Sequence, residues 1–471
     1  LNNWILLFCA VFILFATMFP TLSEAITGER LTVGPPFFNK WMLPIGLMLL
    51  LLTGVGPLLA WRKSTLSNLG NQFLWPITVA FITGGILYAL GFRVWSSGVC
   101  FVLCGFVLGT IGQEFIRGTR VRQEATGADV LTSITGIVAR SHRRYGGYII
   151  HVGIVLMFLG FAGEGYKVEE QVLLSPGQQV EVGRFVVRHE GISVRDDGQK
   201  QMITGRLRVF EEGEEIGMMY PARWFFRKHE QEPTTEVAIH RTISEDLYIV
   251  MAAFDMQDQT ASFQVTVNPL VNWIWFGFGI MALGTVIALL PEQAFSFAAS
   301  KIPDGAAITS LLLLVLVASA PLHAQHVESA QTVPTVPRSA IERELYHEIV
   351  CMCGTCGRKL IGECTCGTAA MMRDEVSLLV DQGKTKEDVF QHFITMYGSQ
   401  EPLAMPLDQG FNRLAWLFPY LLGLSGIVGV GTVALRWSRR EAIDSPLPAG
   451  ISNDGDAQLL TRLDDELRDL D

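Results

Sequence analysis

The chain has 471 residues, of which 49% are hydrophobic and 17% charged, and its mean hydropathy is +0.32. Its apolar residues come in runs of membrane length, which excludes a purely soluble multidomain protein and predicts a polytopic membrane protein with two soluble inserts. The net charge of −10 lies largely in an acidic C-terminal tail. Because basic residues are not interleaved with aromatic ones, we predict no nucleic-acid partner.

The chain begins at Leu1 and enters an apolar segment at once. We therefore expect it to continue a longer protein whose N-terminal part is a processed, split or partner polypeptide. Eight apolar runs are long enough to cross a membrane: residues 4–22, 41–61, 74–90, 95–115, 146–162, 271–290, 307–322 and 414–435. If every run crosses once, the Lys and Arg residues of the short loops all fall on one side, which we predict to be the cytoplasm.

The predicted fold is a mainly α polytopic membrane protein of about eight transmembrane helices, with a small β-rich periplasmic domain and a periplasmic three-helix bundle. Its predicted parts, in chain order, are a membrane bundle of five spans (1–163), the β-rich domain (164–270), a sixth span (271–291), a cytoplasmic loop with a leader-like span and linker (292–337), the thiol-bearing three-helix bundle (338–410), a last span (411–440) and a cytoplasmic acidic tail (441–471).

The β-rich insert is predicted from short runs such as RFVVRHE and GRLRVFEE, which are separated by turn signals at Asp197-Gly198 and Glu212-Gly213. This pattern is typical of a small antiparallel barrel or sandwich. The insert contains His189, His229 and His240. We interpret each as a surface or strand histidine, because no second ligand-type residue stands at metal-binding spacing.

The seventh apolar run, TSLLLLVLVASAPLHAQ, ends in small residues typical of a signal-peptidase site, with Ala324-Gln325 as the candidate cleavage point. It has the form of the leader of a second protein joined to the first. The sequence leaves open whether this run remains as a span or is cleaved.

Five of the eight cysteines lie in the segment CMCGTCGRKLIGECTCG: Cys351, Cys353, Cys356, Cys364 and Cys366. Cys353 and Cys356 form a CxxC pair, whose spacing suits thiol–disulfide exchange on an oxidising side of the membrane. The alternative is a zinc site made by Cys353, Cys356, Cys364 and Cys366. Simple structural disulfides are a third interpretation. An odd number of thiols leaves one without a partner inside the segment.

His151 is the one histidine in the predicted spans, within SHRRYGGYIIHVGIVLMFLGFAG. A hydrogen bond to a neighbouring helix would explain it, and so would a ligand or proton-relay role. Gly147 and Tyr148 lie one turn before His151 on its face. The missing side chain at Gly147 leaves room for a flat group such as a porphyrin, which favours the ligand interpretation.

Two parts of the chain each resemble a known protein family. Residues 1–291 resemble the C-terminal half of the CcmF family, the membrane haem lyase subunit of bacterial cytochrome c maturation, through LNNW, LTVGPPFFNK, RRYGGYIIHVGIVLMFLG, PTTEVAIHRTISEDLYIVM and NPLVNWIWFG. Residues 338–440 resemble the CcmH family, the thiol subunit of the same machinery, through CGTC, MYG and GFNRLAWLFPYLLG. The chain therefore resembles a natural joining of two working partners.

The resemblance implies a haem b held in the membrane by two histidines, of which His151 matches one. The other histidine belongs to a missing N-terminal CcmF-like segment or subunit. Cys353 and Cys356 match the CcmH pair that reduces apocytochrome c, whereas Cys351, Cys364 and Cys366 depart from the usual pattern. The implied partners are a haem chaperone of the CcmE type, apocytochrome c and a thioredoxin-like reductant, in the bacterial inner membrane.

The expected function is cytochrome c biogenesis, as part of the complex that attaches haem to reduced CxxCH cysteines. The chain would be an enzyme as a subunit of this lyase, with a thiol–disulfide oxidoreductase module. The alternatives are a haem or proton transport protein, or an assembly scaffold with a zinc-binding cysteine module. Against transport, the sequence shows no repeated halves, and Glu114, near a span end, is the one other ionisable group in the membrane.

Overall fold

The computed structural model describes residues 2–58, 66–227, 233–290, 337–354, 357–364 and 366–441. Several sequence predictions fall outside these ranges: the seventh apolar run with its candidate cleavage point at Ala324-Gln325, most of the linker after it, the acidic tail beyond residue 441, His229 and Cys356.

Seven helices in the described part of the chain are long and apolar enough to cross a membrane. They are α1 (Asn2–Thr27), α2 (Pro35–Leu58), α3 (Leu66–Ala89), α4 (Trp95–Thr126), α6 (His142–Ala162), α7 (Asn272–Leu289) and α11 (Arg413–Glu441). Each coincides with one of the eight predicted spans. The chain is thus a multi-pass membrane protein.

A short helix, α5 (Val130–Arg140), connects α4 to α6. Helix α4 ends at Gly127, whose φ of +69° is a left-handed conformation that glycine adopts without strain. The Asp129 carboxylate then accepts hydrogen bonds from the backbone N–H groups of Leu131 and Thr132, which caps α5. The local sequence therefore ends α4 at Gly127 and caps α5 only two residues later, at Asp129.

Helices α6 and α7 pack backbone against backbone. Gly146, Gly153 and Gly160 recur every seven residues on one face of α6, where Gly146 meets Gly284 of α7, Gly153 meets Gly277 and Gly160 meets Ile274. A Cβ atom at residue 153 would lie 2.6 Å from the carbonyl oxygen of residue 277. Small residues allow this close approach, which is a common way for membrane helices to associate.

The insert after α6 is a β-sandwich. Its strands are β1 (Val168–Leu174), β2 (Gln179–Val182), β3 (Phe185–Asp196), β4 (Lys200–Glu211), β5 (Glu214–Met219), β6 (Ala222–Phe226), β7 (Thr234–Glu236), β8 (Ala238–Arg241), β9 (Glu245–Asp255) and β10 (Thr260–Pro269). One sheet has the order β1-β10-β9-β8, and the other β2-β3-β4-β6-β7 with β5 paired to β4. All pairings are antiparallel, so the prediction of a small antiparallel β domain is confirmed in its sandwich form.

The two sheets share one core, built from alternating apolar residues of β3, β4, β9 and β10. Alternation places every second side chain on the buried face of each strand. His189 lies in this sandwich on β3, fully buried, with Nε2 3.0 Å from the carbonyl oxygen of Gln259. Burial lowers the pKa of His189. Its backbone hydrogen bond fits the predicted strand histidine, and His240 likewise lies on β8.

The thiol-bearing segment contributes α8 (Ala340–Tyr346), α9 (Gly367–Asp381) and α10 (Lys386–Tyr397). A capping box made by Thr385 and Asp388 begins α10, and Gly398 ends that helix with a φ of +69°. Buried residues of the three helices and of the loop between α8 and α9 form a common apolar core. We call residues 338–408 the thiol module.

Candidate functional site

His151 lies near the middle of α6, on the side opposite α7. It is five residues from Gly146 and two from Gly153, which is about 140–160° around the helix from the glycine stripe. Its side chain is partly exposed, and its Nδ1 atom is buried with no hydrogen-bond partner among the described residues. The helix–helix hydrogen bond considered from the sequence is therefore not made by Nδ1 in this part of the chain.

The space one turn before His151 is open on one side. A Cβ atom added to Gly147 would meet no other atom within 4 Å. Tyr148, by contrast, is buried, and its hydroxyl donates to Glu114 Oε2 at 3.2 Å. Of the two residues singled out from the sequence, Gly147 leaves the space beside His151 open, and Tyr148 joins α6 to α4 through a hydrogen bond.

Glu114, Arg144 and Tyr148 form a polar cluster between α4 and α6. Arg144 Nη2 donates to Glu114 Oε2 at 2.6 Å, and Arg144 Nε donates to the Tyr148 hydroxyl at 3.0 Å. The cluster borders a cavity of about 450 Å³ that is also lined by Arg117, Arg122 and Arg140. Sequence reasoning noticed Glu114 but missed this pairing, because its partner lies thirty residues away on another helix.

The thiol module brings four cysteines together: Cys351, Cys353, Cys364 and Cys366. Their four sulfur atoms all lie within 4.8 Å of one another. Cys351 Sγ is 3.3 Å from Cys366 Sγ, and Cys364 Sγ is 3.5 Å from Cys366 Sγ. Cys353 is partly exposed and the other three are buried. Three of the four belong to the zinc set predicted from the sequence, whose fourth member, Cys356, lies outside the described residues.

Local structure explains how the four sulfurs meet. An isolated antiparallel bridge between Val350 and Leu360, together with a hydrogen bond from the Cys351 N–H to the Lys359 carbonyl, closes the loop that leads from the first two cysteines towards the second two. Cys366 is the N-cap of α9, and its sulfur accepts from the Ala369 N–H at 3.4 Å. The positive end of a helix thus faces this sulfur.

Arg373 on α9 lies beneath the loop that carries the cysteines. It is 1% exposed, and Nη1 donates to the carbonyl oxygens of Ile361 and, at 2.7 Å, of Cys364. Its Nε and Nη2 atoms are buried without a hydrogen-bond partner in the described part of the chain. Burial lowers the pKa of Arg373. A guanidinium in this position was not foreseen, because a charged residue on a helix usually faces water.

The buried thiols differ from an activated nucleophile. The hydrogen bond with Cys364 and then burial raise the pKa of Cys351. Burial likewise raises the pKa of Cys366. A reactive thiol normally has a lowered pKa and lies partly exposed. Of these four thiols, only that of Cys353 is partly exposed.

The thiol module rests on the loop between α1 and α2 and on the β-sandwich. Arg358 donates to the Thr32 hydroxyl at 2.9 Å, Arg30 lies 3.7 Å from the Glu401 carboxylate, and the Gly34 N–H donates to the Ala404 carbonyl at 2.7 Å. From the sandwich, Gln171 donates to the carbonyl oxygen of the thiol-module residue 362 at 3.4 Å. The loop, the sandwich and the thiol module therefore lie on the same side of the helical bundle.

Residues 165–269 match the family described as the CcmF C-terminal beta-sandwich, and residues 311–462 match the CcmH family, described as a cytochrome C biogenesis protein. The chain joins a CcmF-like part to a CcmH-like part. The resemblance drawn from the sequence is thereby confirmed.

Curated relatives of the CcmF-like part carry the name cytochrome c-type biogenesis protein CcmF. The protein from Pseudomonas aeruginosa is 30% identical over 297 residues, which cover 62% of this chain and 43% of the relative. The protein from Escherichia coli is 23% identical over 300 residues, covering 62% and 43%. The chain spans less than half the length of these relatives.

A solved structure titled cytochrome c heme lyase CcmF shares the fold of the CcmF-like part of this chain. It aligns with a TM-score of 0.50 and 24% identity, covering 62% of this chain and 45% of that one. This likeness supports the arrangement of the CcmF-like part, a helical membrane body that carries a β-sandwich.

Proposed function

We propose that this chain is a subunit of the membrane haem lyase complex that attaches haem to the reduced CxxCH cysteines of apocytochrome c. The observation that carries the proposal is the joining of a CcmF-like body to a CcmH-like thiol module, with direct contacts between the two. The chain would lie in the bacterial inner membrane, with the sandwich and the thiol module in the periplasm and the C-terminus in the cytoplasm.

The CcmF-like part would hold a haem b through His151. The buried Nδ1 atom without a partner and the open space at Gly147 both fit a flat ligand beside the imidazole. Bound there, a haem would supply electron transfer that keeps the incoming haem iron reduced. His151 would contribute one neutral imidazole ligand. A second histidine ligand would come from the N-terminal CcmF-like segment or subunit, and a haem chaperone of the CcmE type would deliver the incoming haem.

The haem role is tested by spectroscopy on the chain purified together with its N-terminal CcmF-like partner. His151→Ala should remove the b-type haem spectrum. His240→Ala, on strand β8 outside the membrane helices, should leave it unchanged. An unaltered spectrum in the His151→Ala protein would refute the ligand assignment.

The CcmH-like part would keep the apocytochrome cysteines reduced through Cys353 and Cys356. One thiolate attacks the apocytochrome disulfide and forms a mixed disulfide, and the other thiolate resolves it. Two electrons pass to the substrate, whose two thiols are released, and the Cys353–Cys356 disulfide that results is reduced by a thioredoxin-like protein. The partial exposure of Cys353 supports this role, because the other three described thiols of the segment are buried.

Trapping tests the thiol role. An apocytochrome peptide with its CxxCH cysteines joined as a disulfide is incubated with full-length Cys353→Ala or Cys356→Ala protein. Removal of the resolving thiol should leave a stable mixed disulfide on the remaining one, visible by mass spectrometry. If neither variant accumulates an adduct, the thiol role is wrong.

A further inference from the structure

We propose that Cys351, Cys353, Cys364 and Cys366 hold one zinc ion, and that these four thiolates complete its tetrahedral set, which leaves no ligand position for Cys356. This set differs from the one that the CxxC spacing predicts, since it uses two CxC pairs, Cys351-x-Cys353 and Cys364-x-Cys366. The inference deepens the proposed function, because it states which form of the thiol module meets the apocytochrome.

The spacing of the sulfurs fits a tetrahedral ion. Zinc–sulfur bonds of about 2.3 Å place neighbouring sulfurs of a tetrahedron about 3.8 Å apart. The sulfurs of Cys366 and Cys351 are 3.3 Å apart, those of Cys366 and Cys364 are 3.5 Å apart, and no pair of the four exceeds 4.8 Å. Two disulfides would divide the four sulfurs into separate pairs, whereas here Cys366 is about equally close to two of them.

Charge balance is the second, independent observation. Arg373 is buried beneath the loop that carries the cysteines, and in the described part of the chain no carboxylate forms an ion pair with it. A buried cation without an ion-pair partner is costly, and four neutral thiols would not supply a negative charge. Zinc with four thiolates carries two net negative charges. The guanidinium of Arg373, with two unpartnered N–H groups, would then offset one of them.

The fold of the thiol module supplies a third reason. The chain between α8 and α9 contains only isolated bridges, at Ile349–Leu403 and Val350–Leu360, among its described residues. A module of about 70 residues buries a small core and commonly needs a disulfide or a metal to be stable. Here all four ligands come from the irregular loop and from the N-cap of α9, so one ion would fix the segment that lacks secondary structure.

Zinc binding involves the release of protons and no change of oxidation state. Four thiols release four protons to solvent, and four thiolate sulfurs form bonds to one Zn²⁺ ion. A tetrahedral site of four sulfurs suits zinc or iron. We assign zinc because it needs no reductant on the oxidising side of the membrane, and iron is an outcome that the experiment distinguishes.

Ligation of Cys353 and its use in thiol exchange exclude each other in the same molecule. In the zinc-loaded module, Cys356 is the one thiol of the segment outside the ligand set. It attacks the apocytochrome disulfide to give a mixed disulfide and one free substrate thiol, and the thioredoxin-like reductant supplies the thiol that releases the second. The module would then hold the peptide rather than complete the exchange alone.

Metal analysis of the full chain tests the inference. The protein is purified in detergent without chelator, and zinc, iron and copper are measured per chain. Cys351→Ser and Cys356→Ser form a matched pair, because they make the same change inside and outside the proposed ligand set. We expect about one zinc per chain in the wild type and in Cys356→Ser, and a loss of most of it in Cys351→Ser.

Three results would overturn the inference: zinc that is lost in Cys356→Ser and kept in Cys351→Ser, iron in place of zinc, or a metal-free wild type whose mass shows two disulfides. Cobalt substitution is a second measurement that does not depend on whether Cys351→Ser folds. Wild-type and Cys356→Ser protein should both show the sulfur-to-cobalt charge-transfer band of a four-thiolate site, and its absence from both would overturn the inference. A metal-free wild type that still forms the peptide adduct overturns only the inference. Bound zinc without an adduct would leave the zinc site standing and refute the thiol half of the proposed function, together with the attack by Cys356.

Discussion

The close contact of α6 and α7 can be tested at Gly153, two residues from the proposed haem ligand. A Cβ atom at this position would lie 2.6 Å from the carbonyl oxygen of Gly277 and 2.6 Å from the backbone nitrogen of Met281. Ordinary contact begins at 3.4 Å, so the helices must separate by roughly 0.8 Å (3.4 − 2.6) to admit one methyl group. Backbone atoms cannot turn aside as side chains can, and overpacking of this kind costs about 1–3 kcal/mol.

We therefore expect Gly153→Ala to lower the free energy of unfolding by about 1–3 kcal/mol, measured by titrating the purified chain with SDS in mixed micelles. Gly279→Ala on α7 is the matched control, because a Cβ atom there would meet nothing within 4 Å. The control should be neutral or slightly stabilising, since alanine favours helix. Equal unfolding curves for the two variants would refute the backbone-contact argument.

Three further predictions concern the haem face, the docking of the thiol module and the sandwich. Gly147→Ala should weaken haem binding while leaving the unfolding free energy unchanged or higher, because its Cβ enters only the open space beside His151; unchanged haem affinity would argue against a ligand on that face. Arg358→Ala should speed hydrogen exchange of the Gly34 amide by about tenfold, since Arg358 joins the loop to the thiol module, whereas Arg338→Ala should not. Burial raises the pKa of Asp246, so the folded sandwich loses stability as the pH rises through that pKa and the carboxyl group ionises. The Asp246→Asn protein should therefore melt at a higher temperature than wild type near neutral pH, and the difference should disappear towards pH 4.

The membrane helices and the sandwich could be predicted because each has a one-dimensional signal. A run of apolar residues of membrane length specifies a spanning helix without reference to its neighbours. Strand alternation and the turns at Asp197-Gly198 and Glu212-Gly213 act in the same way, and both turns occur where the sequence placed them. His151 was found by the same logic, because its depth alone makes an ionisable group conspicuous.

The thiol site could not be assembled from spacing alone. The CxxC motif pairs Cys353 with Cys356 and so suggests Cys356 as a zinc ligand, whereas no sequence motif points to Cys351. Its sulfur reaches Cys366 because the Val350–Leu360 bridge folds the loop back on itself. That bridge depends on tertiary packing beneath the loop, which local propensity does not encode. The burial of Arg373 depends on the same packing.

The thiol module is held to the membrane body by direct contacts as well as by the chain that joins them. A flexible tether alone raises the local concentration of one module near the other. Here the hydrogen bond of Arg358 to Thr32, the hydrogen bond of Thr32 to the Glu401 carbonyl and the Gly34–Ala404 hydrogen bond also fix orientation. The loop that receives the module leads directly into α2, whose Phe37 packs with Phe12 and Trp416 of α1 and α11 in one aromatic cluster. The last span therefore packs against the first two spans close to the loop that contacts the thiol module. This packing holds the module at one place beside the sandwich. A substrate peptide bound to its thiols would then always meet the same side of the membrane body.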